Sequence, residues 1–316
     1  MRELTVLVTG GAGFIGANLC RQLIASDRIG SVRVIDDLSS GSADNLAGLE
    51  VDLVEGSILD EGALRRVTAG CDAIVHLAAV PSVPRSIKDP VRSHEANATG
   101  TVRVLEAARA AGGAHVVLAS SSSVYGANPT LPKSEDLRCE PMSPYAVSKL
   151  AAEQYAVSYA RVYGLPVLPF RFFNVYGPLQ AAGHAYAAVV PAFIDAALRG
   201  VPIPVHGDGN QTRDFTFVGT VTQVLSDAVL RKVTSGPVNL AFGSRTSLLE
   251  VVGILECHLR RSLPVEHMAV RPGDVPHSQA ANERLLSLFP EVSPTLLHEG
   301  LKSTLAWFLE TSAARP

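Results

Sequence analysis

Three glycines at three-residue spacing, set where a β-branched strand gives way to an amphipathic helix, constrain this chain more than any other feature. In TVLVTGGAGFIGANLCRQLIAS they are Gly10, Gly13 and Gly16. A strand, a glycine turn and a helix in direct succession allow a tight turn, a close approach of backbone to a ligand, and tight helix packing. The helix N-terminus, with Phe14 and Ile15 in its first turn, offers N–H groups and positive dipole potential to phosphates. Twenty residues beyond Gly16 the next strand, SVRVID, ends in Asp36, followed by Asp37. That spacing suits an acid accepting hydrogen bonds from an adenosine ribose, and an acid there repels a 2′-phosphate, so NAD is favoured over NADP. Asp36 and Asp37 also read as an ordinary solvated strand end. Ser57 and Ile58 follow the third strand and can flank an adenine, although an apolar residue in that place is equally a core residue.

Strand-length apolar runs recur at TVLVTG, SVRVID, VDLVEG, DAIVHLAA and HVVLASS, with helical stretches between most of them. The alternation predicts an α/β fold, a Rossmann-type doubly wound parallel sheet. After about residue 170 Pro and Gly become frequent, and helical patterns near 187–199, 220–231, 246–260 and 294–310 are separated by irregular segments. A smaller C-terminal α/β substrate-binding lobe is expected there. The division is residues 1–170 for the cofactor, with returning segments about 214–245, and 171–316 mainly for the substrate.

With 316 residues and 47% hydrophobic side chains the chain can bury a sizeable core. A net charge of −3 with no charge run lacks the footprint of a nucleic-acid or membrane partner, which leaves a small molecule. The N-terminal residues lack the marks of a secretory signal, and no apolar run is long enough to span a membrane. Cys20, Cys71, Cys139 and Cys257 are scattered without metal-ligand spacing. A cytoplasmic location and no metal are the expectation.

In SPYAVSKLAAEQYAVSYARVYG, Tyr145 and Lys149 stand four residues apart and share one face of a long helix. A free phenol has a pKa of about 10, and a nearby ammonium and a nicotinamide positive charge would favour its phenolate. Tyr145 would then serve as a general base. The bland alternative is a surface pair. Upstream, HVVLASSSSVYG ends a strand in serines, where Ser121 either relays a substrate proton towards Tyr145 or is simply loop.

Together TGGAGFIG, Asp36 with DDLSSG, VHLAA, SSSSVYG, YAVSK, RFFNVYGP, GDGNQTRDFTFV and RPGD resemble the extended short-chain dehydrogenase/reductase family, and within it the nucleotide-sugar 4-epimerases, an impression that SVPRSIKDP strengthens. The resemblance implies an NAD-dependent epimerase acting on a UDP-hexose or UDP-N-acetylhexosamine through a transient 4-keto sugar. It also implies that His76, Leu77, Ala78 and Ala79 line the NAD pyrophosphate and ribose, that Asn97 lies near the active-site water network, and that Lys149 binds the nicotinamide ribose near Phe172. Ser82, Ser121, Ser122, Tyr145, Asn174, Val189, Val205, Gly207, Arg213, Arg271 and Asp274 would surround the sugar nucleotide, the two arginines meeting its diphosphate. Without the family, both arginines are ordinary surface charges.

Related 4,6-dehydratases carry an Asp-Glu pair where this chain has Ser122 and Ser123, which favours epimerisation over dehydration; a non-catalytic NAD-binding scaffold has no need for the intact Ser121, Tyr145 and Lys149. Leu179, Thr220 and Ala281 depart from the family's pattern. Lacking an Arg at 179, the pocket is poorly equipped for a uronate carboxylate unless another cation substitutes. Ser278, small where some relatives carry Tyr, leaves room for an N-acetyl group. The resemblance further implies a homodimer through helices at 90–110 and 145–163, whose apolar stripes also read as core.

Overall fold

The computed structural model describes residues 3–182, 188–270 and 275–313. The first strands are β1 (Leu4–Thr9), β2 (Ile29–Asp36), β3 (Asp52–Glu55), β4 (Ala73–His76), β5 (His115–Ser121) and β6 (Val167–Phe172). Among them run α1 (Phe14–Ile24), α2 (Glu61–Thr68), α3 (Val83–Lys88), α4 (Pro90–His94), α5 (Gly100–Ala110) and α6 (Pro144–Tyr163), with a π-helical turn, Glu95–Thr99, joining α4 to α5. The chain continues through β7 (Asn174–Tyr176), α7 (Val189–Arg199), β8 (Ile203–His206), β9 (Thr212–Arg213), β10 (Phe215–Phe217) and α8 (Val218–Arg231). Last come β11 (Val238–Leu240), β12 (Thr246–Ser247), α9 (Leu248–Leu259), β13 (Val265–Met268), α10 (Glu283–Leu288) and α11 (Leu297–Ala313).

Seven strands form one sheet in the order β11-β6-β5-β4-β1-β2-β3, each pair parallel. The chain steps outward one way through β2 and β3 and the other way through β5 and β6. The loops after β1 and β4 therefore leave in opposite directions and open a crevice at the carboxyl ends of the strands. Alternation along β1 splits the core between two faces: Val6 and Val8 pack with α1 and α8, Leu7 with α2, α5 and α6. Burying each such side chain stabilises the fold by about 1.5–3 kcal/mol. A separate cluster, including Phe193, Val205, Val251 and Leu301, joins α7, β8, α9 and α11.

Helix α6, which carries the Tyr145–Lys149 pair, is sharply bounded. Ser143 accepts from the Ala146 N–H at 3.2 Å, Pro144 occupies the first turn, and Gly164 closes the far end in the left-handed region at φ +66°. No helix among the described residues is long and apolar enough to cross a membrane.

Candidate active site

The crevice holds a cleft of about 410 Å³. The glycine turn forms its floor: Gly10 has φ +70°, and a Cβ there would stand 2.7 Å from the Ala78 nitrogen of the loop after β4. A Cβ on Gly16 would collide with the Gly10 carbonyl, so a side chain at either position would force the turn apart. Asp36 ends β2, buried, and accepts from the Ala12 and Leu38 N–H groups at 2.9 Å each. Burial raises its pKa, while those two hydrogen bonds act the other way. Asp37 accepts from Ser39 and lies beside it.

Gly13, Phe14, Ile15, Ser57, Ile58, Leu77, Ala78, Ala79, Ser121, Tyr145, Lys149 and Phe172 all line the same cleft. A cradle without side chains, a helix N-terminus and an acid at the far strand end fit a dinucleotide: phosphates on the turn, adenosine ribose at Asp36, nicotinamide towards Tyr145.

Two residues implied for this cleft do other work. His76 is fully enclosed, with Nδ1 2.7 Å from Thr9 Oγ1 and Nε2 3.0 Å from Thr101 Oγ1. Thr101 donates its one proton to the Asn97 carbonyl, so Nε2 carries the imidazole hydrogen. Burial drives the His76 pKa down to about 3, and the Lys149 charge adds to that. His76 is thus a neutral link beneath the cleft and is not part of its lining. Asn97, in the π-helical turn, spends its amide on both backbone groups of Val80 and on Ser148 Oγ, which fixes the loop after β4. It holds the wall without lining it.

Ser121 ends β5, accepts from the Ser123 N–H and donates to Ser123 Oγ, both at 3.1 Å, and faces the Tyr145 phenol across the cleft lining. The Lys149 ammonium donates to the Ala119 carbonyl at 2.9 Å, and burial lowers its pKa to about 8. Burial raises the pKa of the Tyr145 phenol, and the neighbouring Ser121 side chain acts the other way; the expected phenolate rests on Lys149 and the nicotinamide charge acting together. The Lys149 ammonium is directed at β5 through the Ala119 carbonyl, while Tyr145, half-buried, faces the cleft.

One further turn along α6, Glu153 is completely buried and meets Arg171 of β6 through two hydrogen bonds of 2.7 and 2.9 Å. Ser120, next to Ser121, donates to the same carboxylate at 2.8 Å. Arg171 donates on to the Tyr125 hydroxyl, which donates to Asn239 of β11. Tyr145, Lys149 and Glu153 therefore share one face of α6, and the last two tie that face to β5 and β6. Sequence reasoning passed over Glu153 and Arg171. The only signal was the four-residue repeat continuing beyond the Tyr–Lys pair.

Beyond Ser121 and Tyr145 lies a second cavity of about 600 Å³. Ser122, Asn174 and Arg213 line it, as does Ser278. Arg213 is buried and donates to the Thr212 and Pro276 carbonyls. Ser82, Val189, Val205 and Gly207 line neither cavity: Ser82 caps α3, Val189 begins α7, Val205 is sealed into the lobe's core, and Gly207 turns the chain at φ +76°. Arg271 and Asp274 lie outside the described residues. Lys133, Asn128 and His277, unforeseen, complete the second lining. Leu179 packs against the α1 core at φ +70°, Thr220 ties α8 to Thr295, and the Ala281 N–H donates to the Lys133 carbonyl.

Residues 6–241 match the family described as NAD dependent epimerase/dehydratase. The UDP-glucose 4-epimerase of Mycolicibacterium smegmatis is 38% identical, over 98% of this chain and all of that one. A UDP-N-acetylglucosamine 4-epimerase from Methanobrevibacter ruminantium, solved with UDP-N-acetylmuramic acid, superposes with a TM-score of 0.93 at 33% identity, covering 98% of this chain and 100% of that chain. The Thermotoga maritima UDP-glucose 4-epimerase, solved with UDP-glucose, gives 0.92 at 32% identity, with 98% and 100% covered.

Proposed function

The chain belongs to the NAD-dependent epimerase/dehydratase family, and from that premise we propose that it inverts the C4 hydroxyl of a UDP-hexose or UDP-N-acetylhexosamine. One observation carries the reading: Ser121 and Tyr145 stand together at the boundary of the two cavities. Ser121 and Tyr145 line the first, while their neighbours Ser122 and Ala146 line the second. A sugar hydroxyl entering from the second cavity meets the phenol beside the nicotinamide end of the first.

When bound, oxidised NAD supplies a hydride acceptor and a positive charge beside Tyr145. Tyr145 takes the C4 hydroxyl proton and returns it after inversion, with Ser121 relaying it. Lys149, held at the Ala119 carbonyl, orients the nicotinamide ribose. Arg213 meets the diphosphate and Asn174 the sugar nucleotide, with Arg271 and Asp274 assigned alongside them by resemblance. The 4-keto sugar must present both faces in turn, and a cavity of about 600 Å³ gives it room to do so.

A dehydratase needs an acid for the leaving hydroxyl. Among the described residues the second cavity carries no carboxylate, and Ser122 and Ser123 occupy the turn after β5. The protein acts in the cytoplasm as a homodimer in this reading: Val91 of α4 and Val147, Tyr155, Val162 and Tyr163 of α6 are exposed apolar side chains suited to a partner. Incubating purified protein with UDP-glucose and UDP-N-acetylglucosamine and separating the products tests the reaction. A C4 epimer is expected; a deoxy-keto product, or none from any UDP-sugar, rejects it.

A further inference from the structure

Asp214, the single residue between β9 and β10, is completely buried and lines neither cavity. A carboxylate enclosed in this way is costly unless donors satisfy it. Here they do: Oδ2 accepts from the Gly243 N–H at 2.9 Å and the Ala280 N–H at 3.1 Å, and Oδ1 accepts from the Ser244 hydroxyl at 2.8 Å. The Asp214 backbone carbonyl accepts in addition from the Asn174 N–H at 3.1 Å.

These bonds lead to one side of the second cavity. Asn174 lines it, Arg213 lines it and directly precedes Asp214, and Ser278 lines it two residues before Ala280. The segment from Pro276 to Ala280 runs alongside β9, where the Thr212 N–H donates to the Pro276 carbonyl at 3.1 Å and the Thr212 carbonyl accepts from the Ser278 N–H at 3.0 Å. Asp214 extends that attachment to Ala280 and joins it to Gly243 and Ser244 after β11. From its other side the same segment is held without Asp214. The Lys133 N–H donates to the Gln279 carbonyl and the Lys133 carbonyl accepts from the Ala281 N–H, both at 2.8 Å, while Asn239 Nδ2 donates to the Ala281 carbonyl at 3.1 Å. The carboxylate therefore sets where the lining residues stand, and other bonds keep the segment packed.

We propose that Asp214 is a positioning residue for the nucleotide sugar: it touches no ligand, and it fixes Arg213, Asn174 and Ser278 as one preformed wall. The inference rests on the second cavity being the nucleotide-sugar site. A ligand meeting such a wall leaves little ordering to the moment of binding. Without the carboxylate the wall is assembled only as the ligand arrives, which weakens affinity but leaves the bound complex as it was. None of the hydrogen-bond partners of Asp214 lines the cofactor cleft, so NAD is held as before.

Asp214→Ala, Asp214→Asn and Ser244→Ala separate this role from a merely structural one. The readouts are NAD retained on the purified protein, calorimetric affinity for UDP, and KM and kcat for a UDP-sugar that the wild type turns over. Asp214→Ala should weaken UDP binding and raise KM by about tenfold to a hundredfold, with kcat within about threefold and NAD retained. An asparagine keeps its oxygen on the two N–H groups and turns its amide to the Ser244 hydroxyl, which accepts, so Asp214→Asn should recover most of the loss. Ser244→Ala removes a single donor and should show the same split at about threefold. Wild-type UDP affinity in Asp214→Ala, parallel losses of kcat and NAD, or an asparagine no better than alanine overturns the proposal, as does a wild type that binds no UDP. Should Asp214→Ala fail to fold, an unchanged UDP affinity in Ser244→Ala overturns it instead. UDP binding that depends on Asp214 in a protein that turns over no UDP-sugar upholds the positioning role and rejects the epimerase reading.

Discussion

The two cavities meet at Ser121 and Tyr145 but are built in different ways. The cofactor cleft is lined mainly by residues that follow the carboxyl ends of successive strands, so it is a by-product of the sheet's own topology. The second cavity gathers Val83, the loop after Ser122, Asn174, Arg213 and residues 275–278 from distant parts of the chain. A dinucleotide is held largely by backbone, through glycines and a helix N-terminus, which leaves a contiguous motif. A sugar is held by side chains on loops, and these change with the substrate while the fold stays constant.

The sharpest break of that comparison is at the residue both cavities need. Tyr145→Phe removes only the hydroxyl from a ring that α6 still holds, so NAD content should be unchanged while kcat falls about 10²–10⁴-fold. Cofactor retained on the purified variant and a steady-state assay together read this out. Loss of NAD along with activity would show that Tyr145 belongs to the cofactor side alone.

The next effect is on what holds the boundary in place. Glu153→Ala leaves the Arg171 guanidinium buried without its carboxylate, a loss of about 3–5 kcal/mol. Replacing the pair by apolar residues, Glu153→Leu with Arg171→Met, should recover most of that stability in urea denaturation. Turnover should stay low in the double variant, because Ser120 loses the acceptor that ties β5 to α6. Full recovery of kcat would make the network purely structural.

Gly10→Ala confines its damage to the cofactor side. The new Cβ meets the Ala78 backbone at 2.7 Å in a left-handed conformation, a strain of about 1–3 kcal/mol. Weaker NAD binding with the affinity for the UDP moiety preserved is expected from calorimetry. Ser278→Tyr is the mirror test: it narrows the sugar cavity and should alter sugar preference without touching NAD.

The same division explains what could be read from the sequence. The first five strands and the glycine turn fall where their apolar runs place them, because strand, turn and helix are adjacent in the chain. β6 was harder to see: Pro169 sits mid-strand opposite Leu118, and a proline argues against a central strand. β11 is only three residues long. The resemblance implies His76 as a lining residue, yet alternation along β4 turns its ring beneath the cleft. Of the residues that the resemblance assigns to the sugar nucleotide, Ser122, Asn174 and Arg213 line the second cavity. Lys133 had no local signal, since only tertiary packing of residues 279–281 brings it to the cavity.

The smallest effect concerns Lys149 and is a matter of sign. Without cofactor its pKa is lowered by burial to about 8 from 10.5, so below pH 8 the ammonium is charged in both folded and unfolded chains and its burial cost is fully present. Between about pH 8 and 10.5 the unfolded chain holds more protons, and stability rises by up to about 1.4 kcal/mol per pH unit as the folded amine becomes neutral. Other groups titrate in that window, so the quantity to follow is the difference between the cofactor-free wild type and Lys149→Met in urea denaturation at pH 7, 8 and 9. The wild type should gain on the variant as pH increases. A difference independent of pH would mean that the amine reaches water rather than being enclosed beneath the cleft at the Ala119 carbonyl.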